Sequence, residues 1–217
     1  CPAPTVNKNK GGAVLLKEPE TIYRIVKAVR EAVPAHLPVS AKIRLGYDDK
    51  ELYLENAHAV HQGGANELAV HARTKREGYK APAHWEYVDA IRRALPIPVT
   101  ANGEIWDHAD ALACAQVSGC DTLMVGRGAI SLPNLANVMK TGCAHMSWAE
   151  VLQLMVSYTE QDLASEKADY YPSRIKQWFS YLKREYPEAD RLFGEIRVLK
   201  ETHPIRDALL QASKTVI

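Results

Sequence analysis

The sequence predicts an α/β unit followed by an all-helical one. Three observations carry this. Four short apolar runs alternate with amphipathic helical stretches up to about residue 130. Each run ends on polar or glycine residues, and from about residue 145 helical stripes follow one another without strands. Strands alternating with helices through short connections imply a parallel sheet covered by helices. Four such units suit either a small doubly wound domain or half of an eight-stranded barrel.

The elements follow in order. Residues 19–33 place Ile22, Ile25, Val26, Val29 and Val33 on one helical face, with Pro19 at a first-turn position. The run 38–45, closed by Gly46, reads as a buried strand, and a helix over 50–62 ends at Gly63-Gly64. Residues 67–71 form the next strand, and the helix at 84–95 carries Val88, Ile91 and Leu95. The strand 97–101 stops at Asn102-Gly103. Asp107 then caps a helix with Leu112, Ala113 and Val117 inward. The fourth strand, 122–125, runs into Gly126-Arg127-Gly128.

Ser147-Trp148-Ala149-Glu150 is a capping box that opens the helical part. Four stripes follow. They are Leu152, Met155, Val156 and Leu163; Ile175, Trp178, Phe179, Leu182 and Tyr186; Leu192, Phe193, Ile196 and Leu199; and Ile205, Ala208, Leu209 and Ala212. They predict an antiparallel bundle whose aromatics are core. The expected division is 1–144 for the β/α portion and 145–217 for the helical domain.

Composition narrows the class. With 27 basic and 26 acidic residues the net charge is +1, which argues against coating nucleic acid by bulk electrostatics. No apolar run reaches the roughly 18–20 residues of a membrane helix. The cysteines at 1, 114, 120 and 143 form no C-x-x-C pair and stand apart from metal-type histidines. Neither zinc nor a disulfide framework is favoured, and a reducing cytoplasm is the simplest setting. The opening Cys1-Pro2-Ala3-Pro4 reads as the middle of a loop. A piece of a longer chain is expected, a processed N-terminus being the alternative.

In β/α barrels the working residues lie at the C-terminal ends of strands. Here those ends carry Lys42 and Arg44, then His71, then Asn102-Gly103-Glu104, then Gly126-Arg127-Gly128. A lysine inside a strand must find a carboxylate or a ligand. His71 suits a ligand contact or a satisfied core histidine, and Arg127 a phosphate or a surface ion pair. Two glycine-rich ends on adjacent strands let backbone N–H groups approach a phosphate.

These same residues resemble the dihydrouridine synthase family. The carriers are Cys1-Pro2 with Val6, Gly12-Ala13 and Leu15-Leu16; Lys42-Ile43-Arg44-Leu45-Gly46; and Val70-His71-Ala72-Arg73-Thr74. Ile97-Pro98-Val99 with Ala101-Asn102-Gly103-Glu104-Ile105, and Gly126-Arg127-Gly128-Ala129, complete the set. The stretch Arg174-Ile175-Lys176-Gln177-Trp178 with Tyr181-Leu182 is similar to the C-type bacterial branch, which modifies uridine 16 of the tRNA D-loop. The resemblance implies the second half of a (β/α)8 TIM-type barrel followed by an all-α helical bundle, the chain being the C-terminal two-thirds of such an enzyme. It implies an oxidoreductase that uses FMN, with NADPH as reductant, to reduce the C5–C6 double bond of uracil. Cys1 would protonate C5 as general acid. Lys42 and His71 would lie beside the flavin ring. Asn102, Gly103 and Glu104 would hold the ribityl-phosphate end, and Gly126 and Arg127 the phosphate.

A flavin acting on a base in folded tRNA needs that base extruded from a loop. The implied RNA contacts are Arg174, Lys176, Lys183 and Arg184 along the helix at 172–186, with Arg44 and Lys80 near the reacting base. Residues 145–217 hold ten basic and eleven acidic side chains, so any RNA site must be local. The expected protein is cytoplasmic, monomeric at full length, and free of metal and membrane. The competing readings are another FMN- or phosphate-binding barrel oxidoreductase acting on a small molecule, and a non-catalytic RNA-binding fragment.

Overall fold

All four apolar runs become strands of one parallel sheet in the computed structural model, which describes residues 2–166 and 168–215. The strands are β1 (Ser40–Gly46), β2 (Glu67–Thr74), β3 (Val99–Asn102) and β4 (Thr122–Met124), ordered β1-β2-β3-β4. Helix α2 (Pro19–Ala32) precedes β1, and α3 (Tyr53–Gln62), α4 (Trp85–Ala94) and α5 (His108–Ser118) run between successive strands. Before α2 lie a short helix α1 (Pro4–Lys8) and a 3-10 turn (Gly12–Lys17), neither of which the hydrophobic pattern announces. Each strand pairs with the next in the chain. A doubly wound sheet reverses its strand order at a switch point. No such reversal occurs among these four strands.

Strand alternation divides the sheet into two faces. Leu45, Leu68, Val70, Ala72, Val99 and Ala101 point one way and are buried, with α3 and α4 packed on the strands. Fully burying each larger side chain contributes about 1.5–3 kcal/mol. The other face is polar. Register sets Lys42 beside Ala69 and Thr100, and Arg44 beside His71 and Asn102.

Two helices bury faces other than those expected. On α5 the buried residues are Ala111, Cys114 and Ser118, while Leu112 is 58% exposed and Val117 is also exposed. Small side chains let this helix approach closely, and the Ser118 hydroxyl is satisfied by the Cys114 carbonyl at 2.6 Å. On α2, Ile22 and Val26 are buried but Ile25 and Val29 face outward. β2 also runs three residues further than expected, because Thr74 pairs with Gly46 past a register shift at which β2 carries one extra residue.

Contacts divide the chain into two units. One is residues 1–105 with 109–125, and the other is 106–108 with 126–217. The second is helical, with α6 (Arg127–Ser131), α7 (Leu135–Thr141), α8 (Trp148–Leu163), α9 (Tyr171–Leu182), α10 (Pro187–Ile196) and α11 (Thr202–Thr215). The Ser147–Glu150 capping box forms reciprocally at the start of α8. Helix α9 is central, touching α6, α8, α10 and α11 through the buried Tyr171, Ile175, Phe179 and Leu182. No described helix is long and apolar enough to cross a membrane, and no described group of His, Cys, Asp and Glu could hold a metal.

Candidate active site

The polar face of the sheet gathers the residues singled out at the ends of β1, β2 and β3. Lys42 Nζ donates to Asn102 Oδ1 at 3.1 Å, and Asn102 Nδ2 donates to the Met124 carbonyl at 2.7 Å. The amide therefore ties β1 to β4 across β3. No carboxylate among the described residues pairs with Lys42, so its contact is to a neutral group. Burial of its stem, and then the like charge of Arg44, lowers the Lys42 pKa.

His71 is 7% exposed, with the Tyr79 ring 6.0 Å away. Above it passes Gly103, whose φ of +127° few side chains tolerate. An added Cβ there would stand 3.1 Å from His71 Cδ2. The Gly103 carbonyl accepts from Trp85 Nε1 at 2.9 Å.

Glu104 also has positive φ, at +56°. Its carboxylate takes the guanidinium of Arg73, a residue that is 0% exposed. Arg73 Nε donates to the Pro82 carbonyl at 3.0 Å. Arg73 falls within the Val70–Thr74 motif, to which no role was given beyond His71; a charged residue in β2 two places after His71 was the available signal.

Arg44 is 8% exposed and organises the loop after β2, donating to the carbonyls of Thr74 and Gly78 at 2.9 Å each. The exposed Tyr79 lies over its guanidinium at 5.3 Å, and Lys80 is exposed beside it. Glu77 holds the same loop. Burial would raise its carboxyl, but the Lys50 ammonium at 2.5 Å and the Thr74 N–H at 2.7 Å bring it down to about 2.

In the helical unit, Gly126 precedes α6 and an added Cβ there would meet nothing within 4 Å. Arg127 lies 5.0 Å over the Trp106 ring, and Arg184 lies 4.0 Å over that same ring. Trp106 was not among the expected site residues. The cations of α9 are partly engaged inside this unit. Arg174 pairs with Asp162 at 2.8 Å, and Lys176 Nζ donates to the Leu199 carbonyl. Lys183 is 3.7 Å from Asp190 and 5.2 Å over the Phe193 ring. Cys1 lies outside the described residues.

The dihydrouridine synthase family model matches residues 1–212. The chain belongs to the dihydrouridine synthase family. A tRNA-dihydrouridine(16) synthase of Shewanella oneidensis is 62% identical over 212 residues, covering 98% of this chain and 67% of that protein. One from Vibrio cholerae is 55% identical, covering 96% and 65%, and one from Escherichia coli K12 is 51% identical, covering 96% and 67%. The chain thus spans about two thirds of the length of these curated relatives. A solved mandelate oxidase mutant aligns over 88% of the chain at 17% identity with a TM-score of 0.35, too slight a likeness to bear on the fold.

For a dihydrouridine synthase the donor set on the sheet is chemically apt. A reduced flavin carries negative charge at one ring edge. Among the described residues, the polar face offers an ammonium hydrogen-bonded to a neutral amide, with the Asn102 side chain fixed beside it.

Proposed function

We propose that this chain supplies the flavin-holding second half of a (β/α)8 barrel and a tRNA-docking helical domain, residues 145–217, in a tRNA-dihydrouridine synthase acting on uridine 16. The sequential strand order supports the barrel reading, since successive strands are neighbours in such a barrel. The names of the relatives support the substrate.

One observation carries the cofactor assignment. Lys42 is a cation on a sheet face, beside another cation, with a neutral hydrogen-bond partner. Lys42 is exposed on this face, so its ammonium is open to an anionic ligand seated beside the Asn102 amide. When bound, FMN supplies the reducing chemistry for the uracil C5–C6 double bond, with NADPH as reductant. Lys42 holds positive charge at the ring edge, and His71 closes the same side. Asn102, Gly103 and Glu104 hold the ribityl-phosphate end, and Gly126 and Arg127 the phosphate. Cys1 delivers a proton to C5, a role suited to a thiol whose pKa lies within a few units of neutral. Lys80 is the exposed cation nearest Tyr79 in chain order and suits a phosphate of the docked RNA. Lys183 and Arg184 suit phosphates at the helical domain. Arg44, Arg174 and Lys176 shape the surfaces on which those contacts are made.

The test is direct. The protein should bind FMN, turn yellow, and oxidise NADPH only in the presence of tRNA lacking dihydrouridine. Lys42→Met should weaken FMN binding by about tenfold or more, a change of about 1.4 kcal/mol. A colourless protein that takes up no added FMN would sink the proposal.

A further inference from the structure

We infer that Arg73 is a positioning residue, one that locks the Asn102–Glu104 turn in a ligand-ready backbone through its buried ion pair with Glu104. The inference deepens the flavin reading above and rests on it for the identity of the ligand.

Several observations converge. A guanidinium with no exposure is expensive to bury, and it persists only when paired and hydrogen-bonded. Arg73 has the Glu104 carboxylate and the Pro82 carbonyl. Its Nη1 has no acceptor among the described residues. A pair kept purely for stability would be as well served by apolar side chains of similar volume. Retaining a charge with one donor group unsatisfied points to a positional task.

The task is visible at Glu104. A non-glycine residue at φ +56° is uncommon, and such backbone survives only where the surroundings over-determine it. Gly103 before it is also at positive φ. The turn is fixed from four elements. Lys42 of β1 binds Asn102, and Asn102 binds Met124 of β4. Trp85 of α4 binds the Gly103 carbonyl, and Arg73 of β2 binds Glu104. The first three anchors act on residues 102 and 103. Arg73 is the anchor on the left-handed residue itself. Because the turn is set before any ligand arrives, no binding energy goes into ordering it.

The experiment measures hydrogen exchange at the Gly103, Glu104 and Ile105 amides in flavin-free protein, and FMN affinity by quenching of flavin fluorescence. The variants are Glu104→Gln, Glu104→Ala, Arg73→Met and the double change Arg73→Met with Glu104→Ala. Glu104→Ala and Arg73→Met should each speed exchange at these three amides and weaken FMN binding by about tenfold, with β1 and β2 amides still protected. Glu104→Gln keeps an acceptor for Arg73 and should leave exchange at these three amides close to that of the unaltered protein. The double variant should bind no more weakly than Glu104→Ala, since both single changes break one link. If Arg73→Met fails to fold, the two Glu104 variants still decide. Wild-type protection and wild-type affinity in Glu104→Ala would overturn the inference. Wild-type protein that binds no FMN would instead fail the flavin reading, while the exchange data would still judge the turn.

Discussion

Single residues in this protein are read through their partners. Lys42 stood out as a charge in a strand, and the structure supplies a neutral amide where a carboxylate was the plain alternative. Glu77 was not singled out, yet it is the hub of the loop after β2. It receives the Thr74 N–H while its own N–H bonds the Thr74 hydroxyl at 3.1 Å, and His84 Nε2 lies 3.1 Å from its other oxygen. Its carboxyl is depressed from 4.5 to about 2, so the folded state favours the ionised form. The stabilisation is complete above about pH 4.5 and is lost as pH falls through about 2. A carboxyl titration by NMR should place the Glu77 midpoint near 2, and Lys50→Met should raise it. A midpoint at the ordinary value in the unaltered protein would contradict this account.

Elements are shaped by backbone proximity as much as by hydropathy. β1 ends at Gly46, where the chain turns back so closely that an added Cβ would stand 1.8 Å from the Asp49 carbonyl oxygen. Gly46→Ala must displace that turn and should cost about 1–3 kcal/mol, as overpacked sites do. Urea denaturation would measure it, and an unchanged midpoint would show that the turn relaxes freely. The same principle governs α5. Its buried face is Ala111, Cys114 and Ser118 because close approach rewards small side chains, although Leu112 carries the larger hydropathy. The Cys114 thiol, pushed up to about 12 mainly by burial, is packing material there.

At the scale of the molecule, near-neutral charge means that the proposed tRNA docking would rest on local patches. In the helical unit, Arg184 spreads over Trp106 at 4.0 Å and Lys183 over Phe193 at 5.2 Å. Such cation–π contacts hold a cation in place for about 0.5–1 kcal/mol at exposed sites without neutralising it. Lys183→Glu together with Arg184→Glu should therefore weaken tRNA binding and flatten its salt dependence by roughly 0.7–0.9 log units per lost contact. Affinity measured across a salt series checks both. An unchanged slope would move the RNA contacts elsewhere.

Taken by itself, the sequence determined the four strands, their parallel alternation with helices, the helical stretch after residue 145 and the family. These are local or repetitive signals: periodicity, glycine stops, a capping box, and motifs in fixed order. Only the tertiary structure decided which charges pair and which stay bonded to neutral groups. Lys42 and Asn102 are 60 residues apart, and Arg73 and Glu104 are 31 apart. Their meeting depends on strand register, which no local pattern encodes. The burial of Arg44 and Arg73, and the carbonyl bonded by Lys176, follow from the same cause. A long charged side chain reads alike in sequence whether it reaches solvent or folds back, and packing alone makes that choice.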